Sequence, residues 1–124
     1  MADASNLLQP QGKTSPDILV HGAESTAPPA ATVLADSGAI PAAGKVMCLV
    51  SWGADDSVAT PEFARRNAAN SADVEVDYVG VPAGASSFVS WFTLAVGERI
   101  VVRNKVAGTA AKVYQASLFM WFVP

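Results

Sequence analysis

Apolar and polar residues alternate over short stretches of this chain, and glycine or proline separates most of these stretches. Alternation with a period of two is typical of β-strands, because successive side chains point to opposite faces. The strands predicted on this basis are residues 17–21, 31–37, 45–53, 60–67, 73–79, 86–94, 99–104 and 112–123. Seven or eight short strands at roughly even spacing, with no convincing helix, predict an all-β fold. The expected architecture is an antiparallel, jelly-roll-like β-sandwich.

Two of the predicted strands differ in pattern. "DVEVDYV" alternates cleanly, which predicts a half-buried strand with Val74, Val76 and Tyr78 on one face and the acidic residues on the other. "KVMCLVSWG" is apolar at nearly every position. A strand of that kind is either central in the fold or faces an interface.

The first 30 residues are different in character. Pro10, Pro16, Pro28 and Pro29 exclude a long helix and favour extended backbone. We therefore predict an extended N-terminal arm over residues 1–30 and a β-sandwich domain over residues 31–124. A disordered tail is the alternative for the arm.

The chain ends in "ASLFMWFVP", which contains six consecutive apolar residues, three of them aromatic. In a strand, Phe119 and Trp121 point away from the face that carries Leu118, Met120 and Phe122. Two interpretations follow: the arm folds back over Phe119 and Trp121, or these side chains lie at a subunit interface. We expect the interface, because aromatic residues and Met are enriched at interface centres. The predicted interface residues are Phe119, Met120, Trp121 and Phe122, together with Arg65 and Arg66.

Arg65 and Arg66 are adjacent in "FARRNAAN" and must point to opposite faces of their strand. One of them therefore faces inward or into an interface, where an arginine needs a carboxylate or carbonyl partner. The sequence leaves open a salt bridge at the rim of the sheet and an ion pair between subunits.

Composition supports assembly and argues against other classes of partner. Apolar residues make up 51% of the chain and charged residues 15%, against about 25% charged in an average domain. A surface so poor in charge meets other subunits or consists of small neutral residues. A net charge of −3 without a basic block gives no support for nucleic-acid binding. No apolar run approaches the roughly 18 residues of a membrane span, and "MADASNLLQP" lacks the features of a secretory signal.

No catalytic or metal-binding pattern is present in the sequence. His21, the one histidine, lies in the proline-rich arm, and Cys48 lies in an apolar run where a buried, inert thiol is expected. The acidic residues of 73–77 are about 7 Å apart along a strand, too far to converge on one Ca²⁺. Asp55 and Asp56 suit a turn. We expect no enzyme activity, no metal and no cofactor.

Three segments in order carry a resemblance to a known family. They are "SGAIPAAGKVMCLVSWGADD", "EFARRNAANSADV" and "FTLAVGERIVVRNKVAGTAAKVYQASL". Together they resemble small β-sandwich virion proteins of tailed bacteriophages, over about residues 32–118. Arg65 stands where that family tends to have His. The "QPQG" of the arm is also similar to the arm of the lambdoid decoration protein.

The resemblance implies a non-enzymatic virion protein, and we expect a capsid decoration (cement) protein. Such a protein would form a homo-oligomer, with a trimer favoured, and would bind the major capsid protein. Its arm would act by adding a strand to a sheet edge, with Leu7, Leu8, Ile18 and Leu19 filling pockets. The alternatives are a tail, neck or fibre-head component, and a carbohydrate-binding module that uses Trp52, Trp91 and Trp121 as stacking platforms.

Overall fold

The computed structural model describes residues 15–78 and 84–123, which form two antiparallel β-sheets packed face to face. The nine strands of these residues are β1 (Ile18–His21), β2 (Ser25–Thr26), β3 (Val33–Asp36), β4 (Gly44–Ala54), β5 (Pro61–Arg66), β6 (Asp73–Tyr78), β7 (Gly84–Leu94), β8 (Arg99–Asn104) and β9 (Val113–Phe122). The described part of the chain contains no helix. The predicted all-β sandwich is therefore confirmed.

The strand order is that of a jelly roll. The first sheet runs β1-β9-β4-β7, with the short β2 also paired to β9, and the second sheet runs β3-β8-β5-β6. Strands adjacent in sequence largely alternate between the sheets, as two interlocked Greek keys require. Among the described strands, β1, with β2, and β7 lie at the edges of the first sheet, and β3 and β6 lie at the edges of the second.

The core lies between the two sheets and is built from one face of each. From β9, Tyr114, Ala116, Leu118 and Met120 are fully buried. Phe63 of β5 packs edge-on against Phe88 and Phe92 of β7. Other buried members come from β3, β4 and β8, namely Leu34, Ala35, Val46, Cys48, Val50, Trp52, Ala54, Ile100 and Val102. Burial of each large side chain stabilises the fold by about 1.5–3 kcal/mol.

Two strands of the predicted arm belong to the sandwich. Residues 18–21 pair antiparallel with β9, placing Leu19 opposite Phe119 and His21 opposite Ser117. The first sheet therefore begins before the boundary predicted at residue 30. Gly22 lets the chain leave β1, because a Cβ there would lie 1.9 Å from the Leu34 carbonyl oxygen. Leu7 and Leu8 lie outside the described residues.

The orientation of β6 differs from the prediction. The segment is a strand, but Val74 is 49% exposed and Asp77 is paired with Phe63, a residue of the core-facing side of β5. The Asp77 carboxylate accepts a hydrogen bond from Ser90 of β7, in the opposite sheet. Because β6 is an edge strand at the open side of the sandwich, its inward face meets polar groups instead of the core.

Candidate functional site

A row of apolar side chains crosses the outward face of the first sheet. Leu19 of β1 is paired with Phe119 of β9, Phe119 with Leu49 of β4, and Leu49 with Val89 of β7. Their neighbours along each strand point into the core, so these four residues point away from it. Leu19 is 48% exposed and the other three are half-buried.

A second row runs beside the first on the same face. Trp121 of β9 is paired with Met47 of β4, and Met47 with Trp91 of β7. Trp91 is 48% exposed, whereas Met47 and Trp121 are nearly inaccessible. The ring of Trp121 stacks on Phe119 with centroids 6.4 Å apart. We call the seven residues of these two rows the outer apolar band: Leu19, Met47, Leu49, Val89, Trp91, Phe119 and Trp121.

Polar rows border the outer apolar band on both sides. On one side lie His21, Ser117, Ser51 and Ser87, which are paired in that order across the strands. His21 Nδ1 and Ser117 Oγ are 2.9 Å apart. On the other side Lys45 is paired with Thr93. The arrangement of an apolar centre and a polar margin is typical of a protein–protein interface.

The size of the outer apolar band follows from sheet geometry. Four strands about 4.8 Å apart and two rows about 6.8 Å apart cover roughly 260 Å² of sheet. A standard interface buries about 800 Å² on each partner. The band spans about a third of that area on the sheet, and its accessible surface comes mainly from Leu19 and Trp91, because Met47 and Trp121 are nearly inaccessible.

The predicted interface residues divide between the two faces of β9. Phe119 and Trp121 belong to the outer apolar band, and their interface role stays a prediction. Met120 is fully buried in the chain's own core, so it cannot contact a partner in the folded protein. Phe122 also packs against that core. The alternation of a strand explains the division, because consecutive residues cannot share a face.

The indole nitrogen of Trp121 is a second notable feature of β9. Nε1 is buried and, within the part of the chain that the structure describes, has no hydrogen-bond partner. Leaving a buried donor unpaired costs about 1–3 kcal/mol.

Arg65 and Arg66 point to opposite sides of β5, as the alternation requires. Arg65 Nη1 donates to the Thr93 carbonyl oxygen at 2.7 Å and to Glu98 Oε1 at 3.3 Å. Arg66 Nη1 donates to Asp73 Oδ1 at 2.7 Å. Both arginines therefore have partners in their own chain, as the rim salt-bridge alternative expects.

An open cavity of about 220 Å³ lies along the free edge of β7. Its lining residues are Lys45, Arg65, Glu75, Trp91, Phe92 and Thr93. Lys45 Nζ lies 5.2 Å from the centroid of the Trp91 ring, within the range of a cation–π contact. Arg65 Nε lies 3.7 Å from Glu75 Oε1. An exposed ring, an ammonium group and a carboxylate thus surround one small space.

Of the three tryptophans, Trp91 is the one whose ring a ligand can reach. Trp52 is 1% exposed and packs edge-on against Tyr114 in the core, and Trp121 is 3% exposed. Trp52 and Trp121 therefore do not form the stacking platforms that the carbohydrate-binding alternative assigned to them.

Cys48 and Asp56, which could in principle act in catalysis, have structural roles in this fold. Burial raises the pKa of the Cys48 thiol to about 12, which keeps it protonated and unreactive. Hydrogen bonds from the Thr109 N–H and other donors lower the pKa of Asp56 to about 2.

Within residues 15–78 and 84–123, no group of three or more His, Cys, Asp and Glu side chains is placed to hold a metal ion. Over the same residues, no helix is long and apolar enough to cross a bilayer.

Comparisons with known proteins bear on the fold. No protein-family profile matches the sequence, and no curated protein matches it. Among solved structures, the chain is similar to a carbohydrate-binding module from Cellvibrio mixtus lichenase 5A in complex with cellotriose. The TM-score is 0.50 with 9% sequence identity, over 94% of this chain and 96% of that one. At this level of identity the likeness supports the β-sandwich fold.

Sequence reasoning missed most of the outer apolar band. The "KVMCLVSWG" pattern did indicate a strand apolar on both faces, and Met47 and Leu49 are its outward-facing members. The pairing of Leu49 with Phe119 and Val89 depends on strand order and register, which no local pattern contains.

Proposed function

We propose that this chain is a non-enzymatic structural protein of a phage particle, and specifically a capsid decoration protein. The resemblance of residues 32–118 to small virion proteins supports the class. The outer apolar band is the observation that carries the assembly part of the proposal. In this function the band contacts other copies of the chain in a homo-oligomer, with a trimer favoured, and the particle is the protein's location.

The N-terminal arm supplies the contact with the major capsid protein. The chain enters β1 at an edge of the first sheet, where Asp17 bonds to Met120 and Phe122. An extended segment in that position binds by adding a strand to a sheet edge, with Leu7 and Leu8 in pockets. Ile18 packs against the protein's own core and Leu19 is paired with Phe119 in the outer apolar band, so neither serves that contact. Many weak contacts repeated over a lattice hold through avidity.

The mass of the protein in solution tests assembly. We expect the full chain to be an oligomer and the double variant Leu19→Ser, Phe119→Ser to be a folded monomer, because both changes place hydroxyls in the outer apolar band. Sedimentation equilibrium measures the mass, and circular dichroism checks the fold. The matched control is Val58→Ser, Val96→Ser, which changes two valines that are 40% and 60% exposed away from the band. A monomeric wild-type chain would contradict the proposal.

Binding to the particle needs a separate variant. Deleting residues 1–14 keeps β1 and should abolish binding to capsids that lack the protein, without unfolding the sandwich. Retained binding would exclude the arm as the capsid contact. A component of the tail, neck or fibre head is distinguished by copy number, which is high for decoration and low for tail parts.

Carbohydrate binding is the second candidate function, and the cavity beside Trp91 favours it. A half-exposed indole next to an ammonium group and a carboxylate offers both a stacking surface and hydrogen-bonding groups. The structural neighbour is itself a carbohydrate-binding module. Trp91 lies at the β7 end of the outer apolar band, at the opposite edge of the first sheet from β1.

A further inference from the structure

We infer that the cavity along β7 binds one uncharged sugar ring, with Trp91 as the stacking surface and Lys45 and Glu75 as the groups that contact hydroxyls. This inference rests on the second candidate function. It goes further by naming the site, the residues and the charge class of the ligand.

The size of the cavity limits the ligand. At about 220 Å³ it is smaller than the roughly 300–1,000 Å³ of pockets for drug-sized molecules. The cavity is open, so the rest of a longer saccharide can extend over the surface. The space therefore accommodates a single ring at a chain end and not a buried oligomer.

Trp91 supplies the apolar part of the contact. Its side chain is 48% exposed on the outward face of an edge strand. One face of a pyranose ring carries C–H groups, which pack on an indole as other apolar surfaces do. Lys45 now lies over the ring, and its flexible side chain can move toward the rim of the indole while keeping contact with a bound ligand.

The charged side chains around the cavity determine which net charge its ligand carries. In the described residues Lys45 has no carboxylate partner, so its ammonium group has donors free for a ligand. The Glu75 side chain is 53% exposed and accepts only. A hydroxyl both donates and accepts, so a neutral polyol satisfies the two groups together.

Ligands with a net charge fit less well. An anion here would meet the Glu75 carboxylate, and the charge of Arg65 is already paired with Glu75 and Glu98. A cation would meet Lys45 and Arg65. Each arrangement sets like charges a few ångströms apart, whereas an uncharged ring avoids both repulsions.

Isothermal titration calorimetry of the full chain tests the inference. The neutral probes are cellotriose, maltotriose and mannotriose; the charged probes are a trimer of galacturonic acid and a trimer of glucosamine. We expect a neutral trimer to bind most tightly. Trp91→Ala should raise its Kd at least tenfold, Trp91→Phe by less, and Lys45→Gln and Glu75→Gln by about threefold each. Val74→Ser, beside Glu75 on the other face of β6, is the matched control and should change nothing.

The outcomes separate the inference from the function on which it rests. If a charged trimer binds more tightly than the neutral ones, the proposal that the ligand is uncharged is wrong, but the proposal of carbohydrate binding stands. Neutral binding unaffected by Trp91→Ala, with an unchanged melting temperature, would overturn the site. If none of the five trimers binds, both the inference and the second candidate function fail.

Discussion

The carboxylate of Asp56 accepts hydrogen bonds from three places in the chain. Thr109 donates through its N–H at 2.7 Å and its hydroxyl at 3.0 Å, Tyr114 through its hydroxyl at 2.9 Å, and Val58 through its N–H at 3.2 Å. The side chain is 3% exposed overall. Asp56 therefore joins the turn after β4 to the loop before β9, which is more than the turn role that its sequence context suggests.

Replacing Asp56 with Asn should lower the melting temperature and change its pH dependence. The pKa of Asp56 is lowered from 3.8 to about 2 in the folded protein. Because the pKa is lower in the folded than in the unfolded protein, the ionised carboxylate stabilises the fold at pH values above about 4. That contribution is lost as the pH falls from about 4 toward 2. Thermal unfolding from pH 7 to pH 2 should show the largest difference from wild type at pH 7 and a shrinking difference below pH 4.

The neighbouring aspartate provides the control. Asp55 has a side chain that is 92% exposed and lies 3.7 Å from Lys112, so Asp55→Asn should leave the melting temperature unchanged. A difference between Asp56→Asn and wild type that stays constant with pH would contradict the assigned role of the charge.

Strand β9 owes its position mainly to β4 on one side and β1 on the other, with the short β2 also paired to it. It is paired along nine positions with β4 and along four with β1. Strand β1 of the arm thus runs beside the aromatic strand and satisfies one edge of it. The arm therefore meets the C-terminal strand at its edge, and the interface role of Phe119 and Trp121 stays a prediction.

Removing β1 should expose the edge of β9 and destabilise the sandwich. We expect deletion of residues 1–21 to reduce the free energy of unfolding by about 2–4 kcal/mol, since Ile18 and Val20 lose contact with the core. The unpaired edge should also promote aggregation. Urea denaturation and light scattering measure these effects, with the deletion of residues 1–14 as control. Equal stability of the two deletions would contradict the pairing.

At the open side of the molecule, polar side chains join the two sheets. Arg65 of β5 reaches the Thr93 carbonyl oxygen of β7 and the Glu98 carboxylate, and Asp77 of β6 bonds to Ser90 of β7. On the outward face of the second sheet, Arg103 bridges Glu62 and Asp73, with Asp73 also bound to Arg66. Because Asp77 on the inward face of β6 makes one of these contacts, that face carries acidic side chains and not the valines that the sequence pattern predicted there.

Arg65 and Arg66 should differ in their importance for stability. Arg65→Met leaves Glu98, whose side chain is 11% exposed, without its cation, so we expect a loss of about 1–3 kcal/mol. Arg66→Met leaves Asp73 bound to Arg103, so we expect less than about 1 kcal/mol. Urea denaturation of both variants measures the difference. A larger effect for Arg66 would show that the inter-sheet contacts matter little.

Local patterns in the sequence predicted the strands, the sandwich and the opposite orientations of Arg65 and Arg66. These features follow from the two-residue period of a β-strand, which each segment carries regardless of its neighbours. The two-residue strand β2 was missed because it is too short to show a period. Burial of Trp52 and Trp121 could also be anticipated, since both lie in apolar runs.

Contacts between distant segments determined which face of each strand is buried and what the outward faces carry. Leu19, Leu49, Val89 and Phe119 form a row because strand order and register bring four segments together. In the same way, Lys45, Glu75 and Trp91 surround one cavity although each comes from a different strand. The physical reason is that alternation specifies two faces but not which one meets the core. That choice depends on the partner strands, which only the folded chain supplies.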